Sequence, residues 1–278
     1  MEDIFKRLFK SAPSKVDNGI YCFGDENDGD CFDKGDIANW RNGIFSRSWR
    51  KRELLENSAS RHLIEEITAN NDYIVDLACG PGMGFIPSIK QTAPEFHCLA
   101  TDANSLVLSE WKRYLQNNEK IGNIDFAQFS AFNMPFKNNA VRAYCGFIGL
   151  SSTRNGNCGI NLALSEIYRT LIDGGLYYAI ENEWNDAPAI LELFDKIGRK
   201  PWSVFLEKQT SWHDRFAKNG FEVLYEEKFE HRSLKADDNE LGKAAAEFGV
   251  DIGLDFTAYI IGKKLSGISN RSVIQLSI

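Results

Sequence analysis

From Ser58 onward the chain switches between two hydrophobic periods. Leu63, Ile64 and Ile67 recur at helical spacing and predict a helix ending near Asn70-Asn71. Residues 73–77 form a short apolar run of strand type, followed by a glycine-rich turn and a helix. Residues 96–101, 124–129 and 141–148 read as the next three strands, with Trp111, Tyr114 and Leu115 marking a helix between the first two. Leu162, Ile167 and Leu171 predict a helix stopped by Gly174-Gly175, a C-terminal signal. Residues 176–180 are the fifth strand. Asp186 followed by Pro188 opens a helix in cap order, carrying Ile190, Leu191, Phe194 and Ile197. Another helix starts near Thr210 and stops at Gly220, and residues 221–229 and 256–262 are the last strands. Strands alternating with helices predict an α/β fold with a doubly wound, mostly parallel, seven-stranded sheet.

Residues 1–57 lack a clear period and read as an N-terminal extension, a helical lid. Ile4, Phe5, Leu8 and Phe9 fall on one face of a short amphipathic helix, which is expected to dock on the domain. The acidic stretch DENDGDCFDKGD invites a calcium loop. However, placing Gly29 at the sixth position puts Gly24 where a carboxylate is required, which leaves a solvated loop. The core domain then covers residues 58–265, with insertions at 184–209 and 234–254, and residues 266–278 form a weakly alternating tail.

Charge and cysteines narrow the classes. The net charge is −7, and the only dense basic run is Arg47, Arg50, Lys51 and Arg52, so no nucleic-acid partner is expected. Six cysteines, Cys22, Cys31, Cys79, Cys98, Cys145 and Cys158, include no CxxC pair. They read as reduced thiols in a cytoplasmic protein, with no metal site. No apolar run approaches the ~18 residues of a transmembrane helix, and the start has no secretory pattern.

The segment YIVDLACGPGMG, residues 73–84, carries the chemistry. A strand ends in Asp76, then the chain turns through Gly80, Gly82 and Gly84, where glycine lets the backbone approach a ligand. The residue three after Gly82 is Phe85, so the dinucleotide fingerprint GxGxxG fails, and the Gly-Lys-Ser/Thr of a P-loop is absent. A carboxylate at Asp76 would repel a pyrophosphate and attract an ammonium or sulfonium. Twenty-six residues on, the second strand is followed by Asp102, placed to accept both hydroxyls of a ribose. Together these features suggest a cationic adenosine ligand.

With these motifs in order, the chain resembles the class I S-adenosylmethionine-dependent methyltransferases, particularly the small-molecule group that includes ubiquinone and menaquinone biosynthesis methyltransferases. The first motif, acid-x-Gly-x-Gly-x-Gly, matches Asp76, Ala78, Gly80 and Gly82, with Ala78 replacing the first glycine. The ribose-binding acid matches Asp102. A third region matches FSAFNMPF, with Ser130 in place of the acid that meets the adenine amino group, implying a weaker acceptor there. SEIYRTLIDGGLYYAIE, residues 165–181, is similar to the helix before the fifth strand. The resemblance spans roughly residues 58–263. It implies a Rossmann-like fold, S-adenosylmethionine as cofactor with S-adenosylhomocysteine as product, and cofactor contacts at Asp76, Ala78, Cys79, Gly80, Gly82, Asp102, Ala103, Ser130, Ala131 and Phe147.

The acceptor would sit beyond the carboxyl ends of the strands, near residues 149–157 and 181–186. Gly149-Leu150-Ser151-Ser152 stands where amino-methylating enzymes resemble one another in carrying Asn/Asp-Pro-Pro-Tyr/Phe, which argues against adenine or cytosine as acceptor. Tyr21, Phe23, Phe32, Trp40, Phe45 and Trp49 would give an aromatic lid suited to a flat or apolar small molecule. In-line methyl transfer is chiefly a positioning task, and oxygen or carbon acceptors can also need a base. His213 is the candidate by residue type and Glu181 by location. Two other classes remain open: a non-catalytic S-adenosyl-ligand binding protein and a nicotinamide-dependent oxidoreductase.

Overall fold

The computed structural model describes residues 7–24, 56–80, 84–117, 122–151, 159–201, 211–238 and 240–264. The acidic stretch, the basic run, the rings Phe32, Trp40, Phe45 and Trp49, Ile4 and Phe5, Gly82, and the tail lie outside those residues.

The central parallel strands are β3 (Tyr73–Asp76), β4 (His97–Asp102), β5 (Ile124–Gln128), β6 (Val141–Phe147) and β7 (Leu171–Trp184). Two further strands lie before them, β1 (Lys15–Asp17) and β2 (Ile20–Cys22), and two after them, β8 (Phe221–Ser233) and β9 (Gly253–Lys263). The sheet order is β1-β2-β5-β4-β3-β6-β7-β9-β8, with β1, at one edge, and β9 running antiparallel to their neighbours. Helices α1 (Ser58–Asn70), α2 (Phe85–Thr92), α3 (Ser105–Asn117), α4 (Gly159–Thr170), α5 (Ala187–Lys196), α6 (Trp212–Lys218) and α7 (Glu240–Phe248) complete the α/β fold.

The sheet therefore has nine strands, where the periodicity predicts seven. The two extra strands form a hairpin inside the segment read as a helical lid. Its cause is local: Asn18 and Gly19 both take positive φ (48° and 71°), the pattern of a two-residue turn whose twist matches the strands it joins. Ile20 and Cys22 are buried, and β2 adds to β5 in parallel. Leu8 and Phe9 dock as expected, but Phe9 is extended and bridges Phe136, with Lys10 N–H donating to the Pro135 carbonyl (2.9 Å).

A second departure lies before the fifth strand. The helix ends at Thr170, and Leu171 already belongs to β7. Gly174-Gly175 does not stop the helix but forms a kink inside the strand, where the β6–β7 register slips between Val141 and Ala143. Gly174 supplies φ +73°, and a Cβ on Gly175 would stand 2.9 Å from the Arg142 carbonyl. Asp186 caps α5 as predicted, accepting from Ala189 N–H at 3.0 Å.

The alternation of each strand feeds two cores. On one face α1, α2 and α3 bury Leu63, Phe85 and Trp111. On the other, α4 and α6 bury Leu164 and Phe216, with the N-terminal Leu8 and Phe9. A third, separate core joins α5 to α7 through Ile190, Leu193, Phe194, Leu241 and Ile252. It stands beyond the carboxyl end of β7, where Trp184 pairs with Leu254 of β9. Among the described residues no helix is long and apolar enough to cross a membrane.

Candidate functional site

Strand β3 pairs with β4 on one side and β6 on the other, all parallel, so the chain order reverses at β3 and a crevice opens at the carboxyl ends. Asp76 ends β3 there. It is 1% exposed, and among the described residues neither carboxyl oxygen meets a donor other than the weak thiol of Cys145. Burial raises its pKa from 3.8 to about 7; the Cys145 thiol eases the charge and Asp102 adds to the penalty. A Cβ on Gly84 would stand 3.4 Å from Asp76 Oδ2 and 3.2 Å from Phe147 Cβ, so a larger residue there would press on Phe147. Phe147 also meets Phe85 edge-on, with ring centroids 6.4 Å apart.

The turn after Asp76 is held by its neighbour strand. Thr101 Oγ1 donates to the Asp76 carbonyl (2.9 Å), and Cys79 N–H donates to the Thr101 carbonyl (2.8 Å). Gly80 N–H donates to Asp102 Oδ2 (3.0 Å), while Asn104 N–H donates to Asp102 Oδ1 (2.9 Å). Burial raises the Asp102 pKa, and those amides oppose it. Each carboxylate oxygen keeps a second acceptor position for a ligand hydroxyl. Ala78 takes φ +51° and Gly80 φ +56°, and nothing described lies within 4 Å of where a Gly80 Cβ would stand.

Beyond β5, Ser130 is buried and its Oγ accepts Phe132 N–H (3.2 Å), leaving the hydroxyl proton to donate. Ala131 packs at the edge of the lower core. Ala103 sits between Asp102 and Asn104, its carbonyl accepting from Gln128 Nε2 (3.0 Å). Gln128, beside it, is a candidate that sequence reading missed: it is buried, and among the described residues its Oε1 has no partner. A polar residue at the carboxyl end of the strand was the available signal.

Four described cysteines, Cys22, Cys79, Cys98 and Cys145, are buried. Burial pushes the Cys98 thiol up to about 12 and Cys79 well above its usual range, which leaves Cys79 a poor nucleophile. Among the described residues no cluster of His, Cys, Asp and Glu could hold a metal ion.

The two candidate bases are not brought together. Glu181 lies in β7, fully buried, and accepts from Leu150 N–H (3.0 Å), Ser151 N–H (3.0 Å) and the Ser151 hydroxyl. Burial raises its pKa to about 7 against those donors. His213 lies on α6 with its side chain 54% exposed, and its Nδ1 meets Glu226 of β8 at 2.7 Å. Glu226 pairs in register with Tyr259, two strands out from β7, so His213 faces away from the glycine turn.

The arrangement has known counterparts. The model of the ubiE/COQ5 methyltransferase family matches residues 46–198, more than half of the chain. A ubiquinone/menaquinone biosynthesis C-methyltransferase of Bartonella quintana is 27% identical over 126 residues, 45% of this chain and 47% of that protein. The corresponding protein of Brucella abortus is 25% identical over 122 residues, 44% of each chain. The chain thus spans about half the length of the curated relatives it matches. Two solved structures share the fold: the MccD protein (TM-score 0.52, 17% identity, 74% of this chain and 97% of that one) and geranyl diphosphate methyltransferase in complex with GPP and sinefungin (TM-score 0.52, 14% identity, 81% and 84%). On its sequence this chain belongs to the ubiE/COQ5 methyltransferase family.

Proposed function

We propose that the chain is an S-adenosylmethionine-dependent methyltransferase acting on a small molecule by in-line transfer. The carrying observation is the pair of strand-end acids around the glycine turn. Asp76 is buried with only the Cys145 thiol as a donor among the described residues, and Asp102 holds Gly80 while keeping acceptor capacity outward. An orphan carboxyl fits a cationic ligand group and would be costly without one. In this reading Asp102 takes the ribose hydroxyls, and Ala78, Cys79, Gly80 and Gly82 line the cofactor. Ala103, Ser130, Ala131 and Phe147 border the adenosine. Bound cofactor supplies a methyl group on a sulfonium, already activated toward a nucleophile. The protein's own task is to hold the acceptor in line and exclude water.

The relatives' names, ubiquinone/menaquinone biosynthesis C-methyltransferase, support carbon as the acceptor atom. The α5–α7 core beyond the end of β7, with Tyr21 and Phe23 at the opposite edge, supports an apolar or aromatic small molecule. Buried reduced thiols support a cytoplasmic setting.

Calorimetric titration with S-adenosylhomocysteine, with NADH in parallel, tests the reading. Saturable binding weakened ~10-fold or more by Asp102→Ala, about 1.4 kcal/mol, is expected. No binding, or binding of NADH alone, would overturn it. Binding without methyl transfer to any quinone-type acceptor would favour a ligand-binding protein instead.

A further inference from the structure

Between the fourth and fifth parallel strands lies a built contact that substrate binding does not explain. The chain leaves β6 with Ile148 at φ +55°, a conformation a β-branched residue rarely adopts. Its N–H donates to the Ile180 carbonyl (2.6 Å), so β7 holds the strained residue in place. Two of the next three residues are held from the same strand. Leu150 N–H, Ser151 N–H and the Ser151 hydroxyl all donate to Glu181, one strand over and fully buried. The other side of this loop rests on the glycine turn. A Cβ on Gly149 would stand 2.7 Å from the Leu77 carbonyl and 3.5 Å from Ala78 Cβ. Ala78, which Gly149 touches, is itself at φ +51°. Backbone strain of this kind persists only where the surroundings over-determine it.

From this chain of contacts we infer that Glu181 is a positioning residue: by latching residues 149–151 against Leu77 and Ala78, it sets the shape of the turn that receives the cofactor. The inference rests on the proposed cofactor site and assigns Glu181 a role other than proton transfer. Both of its oxygens are spent on the loop, and it is sealed from solvent. A carboxylate suits the task because it is acceptor-only and meets donors on both oxygens. An amide in its place must turn an NH2 toward a backbone N–H. Of the titratable groups, Tyr177 on the same strand meets Glu181, and Tyr177 in turn feels Cys145 on β6 and Asp76 on β3.

The test compares wild type, Glu181→Gln, Ser151→Ala and the double variant, using full-length protein. In ligand-free protein, amide hydrogen exchange at Leu150 and Ser151 should rise in Glu181→Gln. Affinity for S-adenosylhomocysteine should fall about fivefold or more, the scale of one lost charge-assisted hydrogen bond. The double variant should bind within about twofold of Glu181→Gln, because both changes act through one latch. Wild-type affinity should decline as pH falls through about 7, and the variant's decline should be shallower, Asp76 contributing equally to both. If Glu181→Gln does not fold, Ser151→Ala carries the exchange and affinity measurements alone. Unchanged exchange at Leu150 and Ser151 would overturn the latch. Raised exchange with unchanged affinity would overturn its link to the cofactor, as would additive losses in the double variant. Absence of wild-type binding would instead overturn the proposed function, and that link with it.

Discussion

At the scale of single residues, Asp76 sets a conflict between stability and binding. Its carboxyl is buried with only a thiol donor among the described residues, and its pKa is raised from 3.8 to about 7. The folded chain therefore holds that proton to higher pH than the unfolded chain does. A raised acid contributes stability at low pH and loses it as pH climbs from about 4 through about 7. Asp76→Asn should remove that loss. Ligand-free protein should gain on the order of 1–3 kcal/mol at pH 8 and nothing near pH 4, read by denaturant titration at both pH values. S-adenosylhomocysteine binding should weaken in the same variant. His231 works in the opposite direction. Asp255 raises its pKa first, with Asp251 adding, so its contribution is present below pH ~6.5 and fades as pH rises through its folded value.

At the scale of elements, the turn after β3 and the loop after β6 are fitted to each other. Ala78 occupies the first glycine position of the resembling motif yet adopts a left-handed φ. Ala78→Gly should relieve that strain and stabilise the protein by about 0.5–1.5 kcal/mol, seen as a higher unfolding midpoint with binding retained. Gly149→Ala should act the other way. Its new Cβ would press on the Leu77 carbonyl, a backbone atom that cannot swing aside. The loop must shift, and affinity for S-adenosylhomocysteine should drop by about tenfold or more, roughly 1.4 kcal/mol. Calorimetry on the folded variant checks this, and unchanged affinity would mean that the two segments move independently.

At the scale of the whole molecule, the sheet is covered by two cores and extended by a third. The α5–α7 core is assembled from two chain segments about fifty residues apart, 184–201 and 234–254, joined only in space. Its apolar contacts do not merge with those of the sheet, so it should open on its own. Phe194 is fully buried within it. Phe194→Ala should cost about 3–5 kcal/mol, confined to this unit. Limited proteolysis should then cut within 184–201 or 234–254 while S-adenosylhomocysteine binding stays within about threefold. Loss of binding in step with cleavage would show instead that the extension and the sheet unfold together.

The sequence by itself determined the alternation of strand and helix from Ser58 to Lys263, because buried parallel strands and amphipathic helices carry strong local periods. It also marked Asp76, Gly80 and Asp102, since a glycine turn between strand-end acids is a local pattern. It located the cap at Asp186 and the second insertion's helix. The Asn18-Gly19 hairpin went unread, because β1 and β2 are three residues each, too short to show a period. Only tertiary structure decided that Gly174-Gly175 lies inside a strand, because the bulge depends on the register with β6. It also decided that Glu181 grips a loop rather than facing outward, and that His213 turns toward Glu226. Those outcomes depend on which strands become neighbours. Strand order is fixed by packing between segments far apart in the chain, which no local pattern encodes.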